Sequence, residues 1–188
     1  PLLEDALRYL GLGYSVIPAH GVDSDGLCTC GKSGCQTPGK HPRIPWRRYQ
    51  RERASEAQIR DWWKAWPTAN VAVCTGIVSG IVVVDVDPRH GGTESAQELA
   101  LPDTVTCLTG GGGAHYYYKH PGVHVSNRSG VLPGIDLRGD GGYVIAPESL
   151  HSSGQRYLWE VGYAPWEHEP APFPSTINLT DPVSGLST

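Results

Sequence analysis

The chain has 188 residues, 39% of them hydrophobic and 18% charged, with a formal net charge of −4. That size and apolar fraction suit one compact domain with its own core and exclude disorder throughout; the mild acidity excludes a uniformly basic coat but not a local basic groove for nucleic acid. No apolar run approaches the ~20 residues of a membrane helix and no secretory signal opens the chain, so a soluble, cytoplasmic protein without membrane partners is expected.

The first stretch, LLEDALRYLGLG, carries apolar residues at positions 2, 3, 6, 7 and 10. This stripe predicts a helix stopped by Gly11 or Gly13. YSVIPAH follows as a first strand. The loop CTCGKSGCQTPGKH, residues 28–41, places Cys28, Cys30, Cys35 and His41 as Cys-X-Cys-X4-Cys-X5-His among residues that turn easily. Four such ligands suit a closed, tetrahedral, structural Zn²⁺ site, and a disulfide is not expected in a reducing compartment. Cys74 and Cys107 stand alone in apolar runs and read as core residues.

SEAQIRDWWKAW predicts a second helix, with Ser55 as its cap, core-facing tryptophans and Pro67 behind it. NVAVCTG and GIVVVDVD predict two strands of a hairpin around IVSG, and VTCLTG with AHYYYKH a second hairpin across a glycine run. GIDLRGDGGYVIAP adds a strand pair or turn, and RYLWE a last strand. Helices early and strands late point to an α+β fold with a largely antiparallel sheet. The expected division is a catalytic domain over 1–161 and a Pro-rich tail, linker or surface-hugging, over 162–188. Because the chain starts at Pro1 and holds no Met, it is expected to be a piece of a longer protein.

The chemistry-bearing residues fall in the strand-like part. Asp85 and Asp87 end an apolar run, two residues apart, so an extended backbone sets them on one face about 7 Å apart. His115 follows TGGGGA, and Asp136 lies in GIDLRGDGG. Three carboxylates suit a pair of divalent ions arranged for displacement at phosphorus. Gly112 and Gly113, within the glycine run, let backbone amides approach a polyphosphate, and Thr109 adds a hydroxyl. Arg138 shares the face of Asp136 if the segment is extended. Lys40, Arg43, Arg47 and Arg48 form a basic segment suited to phosphates. One of Tyr116, Tyr117 and Tyr118 is available to stack on a base. Asp140 is explained by turn chemistry in RGDGG.

The succession VVVDVD, GGGAHYYYK and LPGIDLRGDGGYVIAP resembles the three motifs of the archaeo-eukaryotic primase superfamily, in its bifunctional primase-polymerase branch of phages, plasmids and mobile elements. ALRYLGLGYSVIP, GKHPR before a Trp, IRDWW and NVAVCTGIVSG extend the likeness over residues 3–160. The resemblance implies a catalytic core with an RNA-recognition-motif-like sheet beside a smaller α/β module. It implies a DNA primase and DNA polymerase that starts and extends chains on single-stranded DNA from NTPs or dNTPs, with two Mg²⁺ or Mn²⁺ ions required and a fused or associated helicase domain in the full-length protein. Asp85, Asp87 and Asp136 match its metal-binding acids and His115 its triphosphate-contacting histidine. Gly113 stands where the family often has serine. His41 is claimed both by the Zn²⁺ spacing and by the nucleotide-proximal GKHPR stretch, and the zinc role is favoured. Two other functions use the same residue types: a metal-dependent sugar-nucleotide transferase and a noncatalytic single-stranded-DNA-binding replication module.

Overall fold

A computed structural model of the chain describes residues 2–178. Helix α1 (Leu2–Gly11) buries Ala6 and Tyr9 and lays Leu2, Leu3, Leu7 and Leu10 against the core, as the stripe requires. Gly13, with φ +87°, turns the chain into strand β1 (Ser15–Ala19). Helix α2 (Glu56–Ala65) starts at Ser55, whose side chain accepts a hydrogen bond from the Gln58 amide, and buries Ile59, Trp62 and Trp63. Strand β2 (Asn70–Cys74) pairs antiparallel with β1.

Strand β3 (Ile81–Val86) does not fold back on β2. The expected hairpin is replaced by a turn that hands the chain from one sheet to another. A single bridge joins Gly76 to Ile81, after which the strands part. Gly76 holds φ +92°, and a Cβ there would lie 2.5 Å from Asp140 Oδ1, so only glycine allows this close passage. Helix α3 (Gly92–Glu98) was not expected. Its sequence GTESAQE has no apolar stripe, and it packs by close approach, burying Gly92 and Ser95, with Ser95 Oγ donating to Pro133 O at 2.7 Å.

Strands β4 (Val105–Leu108) and β5 (Ala114–Lys119) form the expected hairpin across the glycine run. Strands β6 (Arg128–Leu132) and β7 (Ile135–Arg138) form another. β8 (Tyr143–Ile145) crosses back to pair with β2, so β7 and β8 belong to different sheets. With β9 (Leu158–Trp159) and β10 (Ala171–Pro172), two sheets result, β1-β2-β8 and β6-β7-β3-β5-β4-β9, with β10 parallel to β5. Among the described residues every pairing between these strands, apart from that of β10, is antiparallel. The mixed architecture with antiparallel sheets agrees with the α+β expectation.

One core lies between α1, α2, the small sheet and one face of the large sheet; a second lies on the opposite face under α3. The Pro-rich stretch first meets the other side, where Trp166 lies edge-on to Trp159 at 6.2 Å and under Arg8 of α1, and then hugs this second face. Phe173 meets Tyr118 edge-on at 6.4 Å, Ile177 is buried, and Thr176 Oγ1 donates to Leu99 O. Residues 179–188, within the expected tail, lie outside the described residues. Among the described residues no helix is long and apolar enough to cross a membrane.

Asp140 ties the crossing points together. Its Oδ1 accepts the Ile77 amide at 2.8 Å, and its Oδ2 accepts the Val125 amide at 2.9 Å and meets His120 Nε2 at 3.1 Å. Burial alone raises its carboxyl pKa, but the two amides and His120 outweigh burial and hold it below the ordinary 3.8. A depressed carboxyl pKa stabilises the fold above the unfolded value and loses that contribution as pH falls through the folded one. Asp140→Ala is therefore expected to cost about 2 kcal/mol at neutral pH, because it strands two amides. The gap to wild type should narrow below pH 3.8. Urea unfolding at both pH values checks this, and equal stabilities at neutral pH would contradict it.

Candidate active site

β3 is hydrogen-bonded on both sides, and its register sets Asp85 opposite His115 on β5 and opposite Asp136 on β7. The three side chains form a row across the sheet, because directly paired residues point to the same face. Val83 pairs with Arg138 and Tyr117 by the same registers, so Arg138 joins the row's face as its spacing from Asp136 predicts. The outer end of this face floors a cleft of about 620 Å³, lined by Asp85, Asp87, His115, Asp136 and Arg138.

The floor is electrostatically paired. Arg138 NH2 lies 2.7 Å from Asp136 Oδ2 and 3.8 Å from Asp85 Oδ2, and Asp136 Oδ1 accepts the Gly130 amide at 2.8 Å. His115 is 5% exposed, with Nε2 3.5 Å from Asp85 Oδ1 and Nδ1 buried without a partner. Burial pushes its pKa below the ordinary imidazole value, against the pull of Asp85. A buried lone pair without a partner is tolerated better than a buried N–H, so we assign the proton to Nε2. His115 then presents a neutral N–H donor at the cleft.

Asp87 is not in the strand, which ends at Val86 because Pro88 lacks an amide for the ladder. Pro88–His90 instead form a 3-10 turn capped by Asp87, whose backbone stays extended at φ −107°, ψ 103°. Both carboxylates therefore still reach one cleft. Arg89 grips Asp87 in bidentate fashion, Nε to Oδ1 at 3.0 Å and NH2 to Oδ2 at 2.9 Å, and His90 Nδ1 lies 2.9 Å from Oδ2. The Arg89 guanidinium, with His90, holds the Asp87 carboxyl far below the carboxylate range.

The glycine run closes one side of the cleft. Thr109 N donates to Gly113 O at 2.8 Å, and Gly113 N donates to Thr109 Oγ1 at 2.9 Å. Thr109 and Gly113 line the cleft, whereas Gly112, at φ +87°, makes the turn and does not. A Cβ at Gly113 would lie 2.4 Å from Val86 O, which is why serine is not accommodated here without a backbone shift. Lys40 lines the cleft from the other side, where burial lowers its pKa and Asp85 opposes the change.

Arg43 does not join it. Its amide donates to Pro18 O and docks this stretch on β1, turning the guanidinium to Thr29 Oγ1 at 3.1 Å and over the Trp66 ring at 4.9 Å. None of the three tyrosines of β5 offers a stacking face either. Tyr117 is wholly buried, while Tyr116 and Tyr118 pack on the opposite face, where the Tyr118 hydroxyl donates to Pro102 O. The aromatic lining comes instead from Trp46 and Tyr143, together with the buried Tyr157. Trp46 and Tyr157 lie outside the acidic motifs in sequence, whereas Tyr143 belongs to the motif of Asp136 and reaches the cleft because β8 returns to the small sheet.

The ligating atoms of Cys28, Cys30, Cys35 and His41 lie within 4.8 Å of one another, with His41 Nε2 3.3 Å from Cys28 Sγ and 3.6 Å from Cys35 Sγ. Tetrahedral Zn–S bonds of about 2.3 Å require ligand separations of about 3.8 Å, so the loop has the dimensions of a zinc site. Among the described residues no group of acids is gathered as tightly; Arg89 and Arg138 each hold one cleft carboxylate apart. The cleft donors are hard carboxylate oxygens, which fit Mg²⁺ or Mn²⁺.

The profile of the Prim-Pol family, described as bifunctional DNA primase/polymerase, N-terminal, matches residues 6–176. The chain belongs to the Prim-Pol family. A search of curated proteins gave no match. Prim-Pol membership brings DNA primase and polymerase activity as a class, a nucleotidyltransferase enzyme, DNA and nucleotides as substrates, and a dependence on divalent metal. The matched span runs through β3, β5 and β7 and on past β10, so the Prim-Pol match includes every element that floors the cleft.

Proposed function

We propose that this Prim-Pol domain carries out template-directed nucleotidyl transfer with two divalent ions in the cleft, starting chains on single-stranded DNA and extending them from NTPs or dNTPs during replication. The row Asp136–Asp85–His115, set by the two registers of β3, carries the proposal. In the reaction the attacking 3′-hydroxyl loses its proton to solvent, its oxygen bonds to the α-phosphorus and the α–β phosphoanhydride breaks, releasing pyrophosphate.

Asp85 and Asp136, facing each other across paired strands, would hold the metals, and Asp87 would complete the set on release from Arg89. A bound metal pair lowers the pKa of the attacking hydroxyl and neutralises the departing pyrophosphate. His115 donates from Nε2 to a phosphate oxygen. Lys40 and Arg138 supply positive charge to the triphosphate, and Thr109 with Gly113 lets it approach the backbone. The reading places the archaeo-eukaryotic primase core on the large sheet and the smaller α/β module on β1-β2-β8. The protein is further proposed to come from a mobile element, to work in the cytoplasm and to be fused to or associated with a helicase domain.

Zinc is assigned a structural role. With His41 Nε2 beside the thiols of Cys28 and Cys35, the closed quartet braces the loop that carries Lys40. Purified protein is expected to hold about one zinc per chain, resistant to mild chelation, and Cys30→Ser/Cys35→Ser should lose it. Zinc-free wild type, or a zinc content untouched by the double substitution, would sink the assignment.

Incubation of unprimed single-stranded DNA with labelled nucleotides and Mg²⁺ or Mn²⁺ tests the catalytic proposal. Wild type should give template-dependent products, and a folded Asp85→Asn variant should make at least about a hundredfold less. Equal synthesis by the two proteins would refute the assignment of Asp85.

A further inference from the structure

The cleft has two unlike sides. Its floor, on the large sheet, is charged: Asp85, Asp136, Arg138 and the His115 donor. Its other wall comes from the small-sheet module and carries Trp46 and Tyr143. Their rings meet edge to face, with centroids 4.9 Å apart and planes at 78°. Such a contact fixes both ring planes. Both residues are only partly buried, although they rest on the main core. Gln50 Nε2 donates to Gly141 O, which ties the approach to Tyr143 to the 3-10 turn Arg47–Gln50 that directly follows Trp46. Tyr143 stands within electrostatic reach of Arg138, so the aromatic wall adjoins the charged floor.

A charged floor meeting a rigid aromatic wall matches a molecule that is itself polyanionic at one end and planar at the other. The volume of about 620 Å³ is in the range of small-molecule sites. Phosphates engage cations, metal ions and amides, while a base gains most from an aromatic face, whatever its identity. The tyrosines of β5 cannot supply that face, since they are buried or turned away.

We infer that Trp46 and Tyr143 form the nucleoside subsite of the cleft, the base of the incoming nucleoside triphosphate lying against their rings while its phosphates lie over the row of Asp85. The inference rests on the nucleotidyl-transfer reading above and adds to it the residues that hold the nucleoside. Trp46 and Tyr143 touch the substrate away from the reacting phosphorus, so they act on binding and positioning.

The experiment compares two ligands by calorimetry at fixed free Mg²⁺: a non-hydrolysable α,β-methylene dATP, and inorganic tripolyphosphate, which has the charge without the base. Wild type should bind the nucleotide more tightly than tripolyphosphate. Trp46→Ala and Tyr143→Ala should each weaken the nucleotide about tenfold or more and leave tripolyphosphate unchanged, with Trp46→Phe recovering most of the loss. Because Trp46 leans on the core, thermal melts accompany the titrations, and Trp46→Leu and Tyr143→Leu, which keep bulk but lose the aromatic face, keep the comparison decisive if an alanine variant is unfolded. Equal affinity of wild type for the two ligands, or an unchanged nucleotide affinity in folded Tyr143 variants, would overturn the subsite. Binding of neither ligand by wild type would overturn the nucleotidyl-transfer reading itself, and the subsite with it.

Discussion

The hydrogen-bonded position of β3, with β5 on one side and β7 on the other, governs the rest of the molecule. A strand paired on both edges cannot slip by one residue without turning Val82, Val84 and Val86 out of one core and Val83 out of the other. Both faces being buried, the register is fixed twice over, and Asp85 inherits it. His115 and Asp136 are then brought beside Asp85 by ladders that apolar residues hold in place. The site is precise because its charged members sit at the ends of strands whose remaining residues have nowhere else to go.

Setting several carboxylates side by side costs energy through mutual repulsion, and the fold offsets it with cations drawn from nearby chain. Arg138 answers Asp136 and leans toward Asp85, Arg89 answers Asp87, and Lys40 arrives from the loop that the Cys-His quartet shapes. They neutralise the acids, and in the proposed reaction the same cations would exchange these partners for the triphosphate. Asp140, by contrast, belongs to the scaffold: its carboxylate joins the turn between β2 and β3 to the loop ahead of β6 and leaves the cleft to its neighbours.

Much of this was legible in the sequence where local pattern and function coincide. The stripe of α1, the Ser55 cap, the β4–β5 hairpin and the acidic strand end all follow from spacing alone, as does the quartet Cys28, Cys30, Cys35 and His41. What was not legible depended on which strand meets which. NVAVC and IVVVDV are both apolar throughout, so nothing in either says that they enter different sheets, and the turn between them imitates a hairpin. Tyr116, Tyr117 and Tyr118 invite a stacking role that the burial of Tyr117 and the opposite facing of Tyr116 and Tyr118 deny, while the aromatic wall comes from Trp46 and Tyr143, residues nearly 100 positions apart. Arg43 looked like a partner of Lys40 until the docking of its backbone on β1 turned it toward Trp66. Helix α3 had no apolar stripe to announce it, because glycine and serine do its packing.

The most direct test of the central claim is an anomalous-scattering experiment on crystals grown with Mn²⁺ and the non-hydrolysable nucleotide. The account predicts manganese between the carboxylates of Asp85 and Asp136, with the triphosphate beside His115 and Arg89 withdrawn from Asp87. Manganese bound elsewhere, with Asp85 still facing only Arg138 and His115, would contradict it.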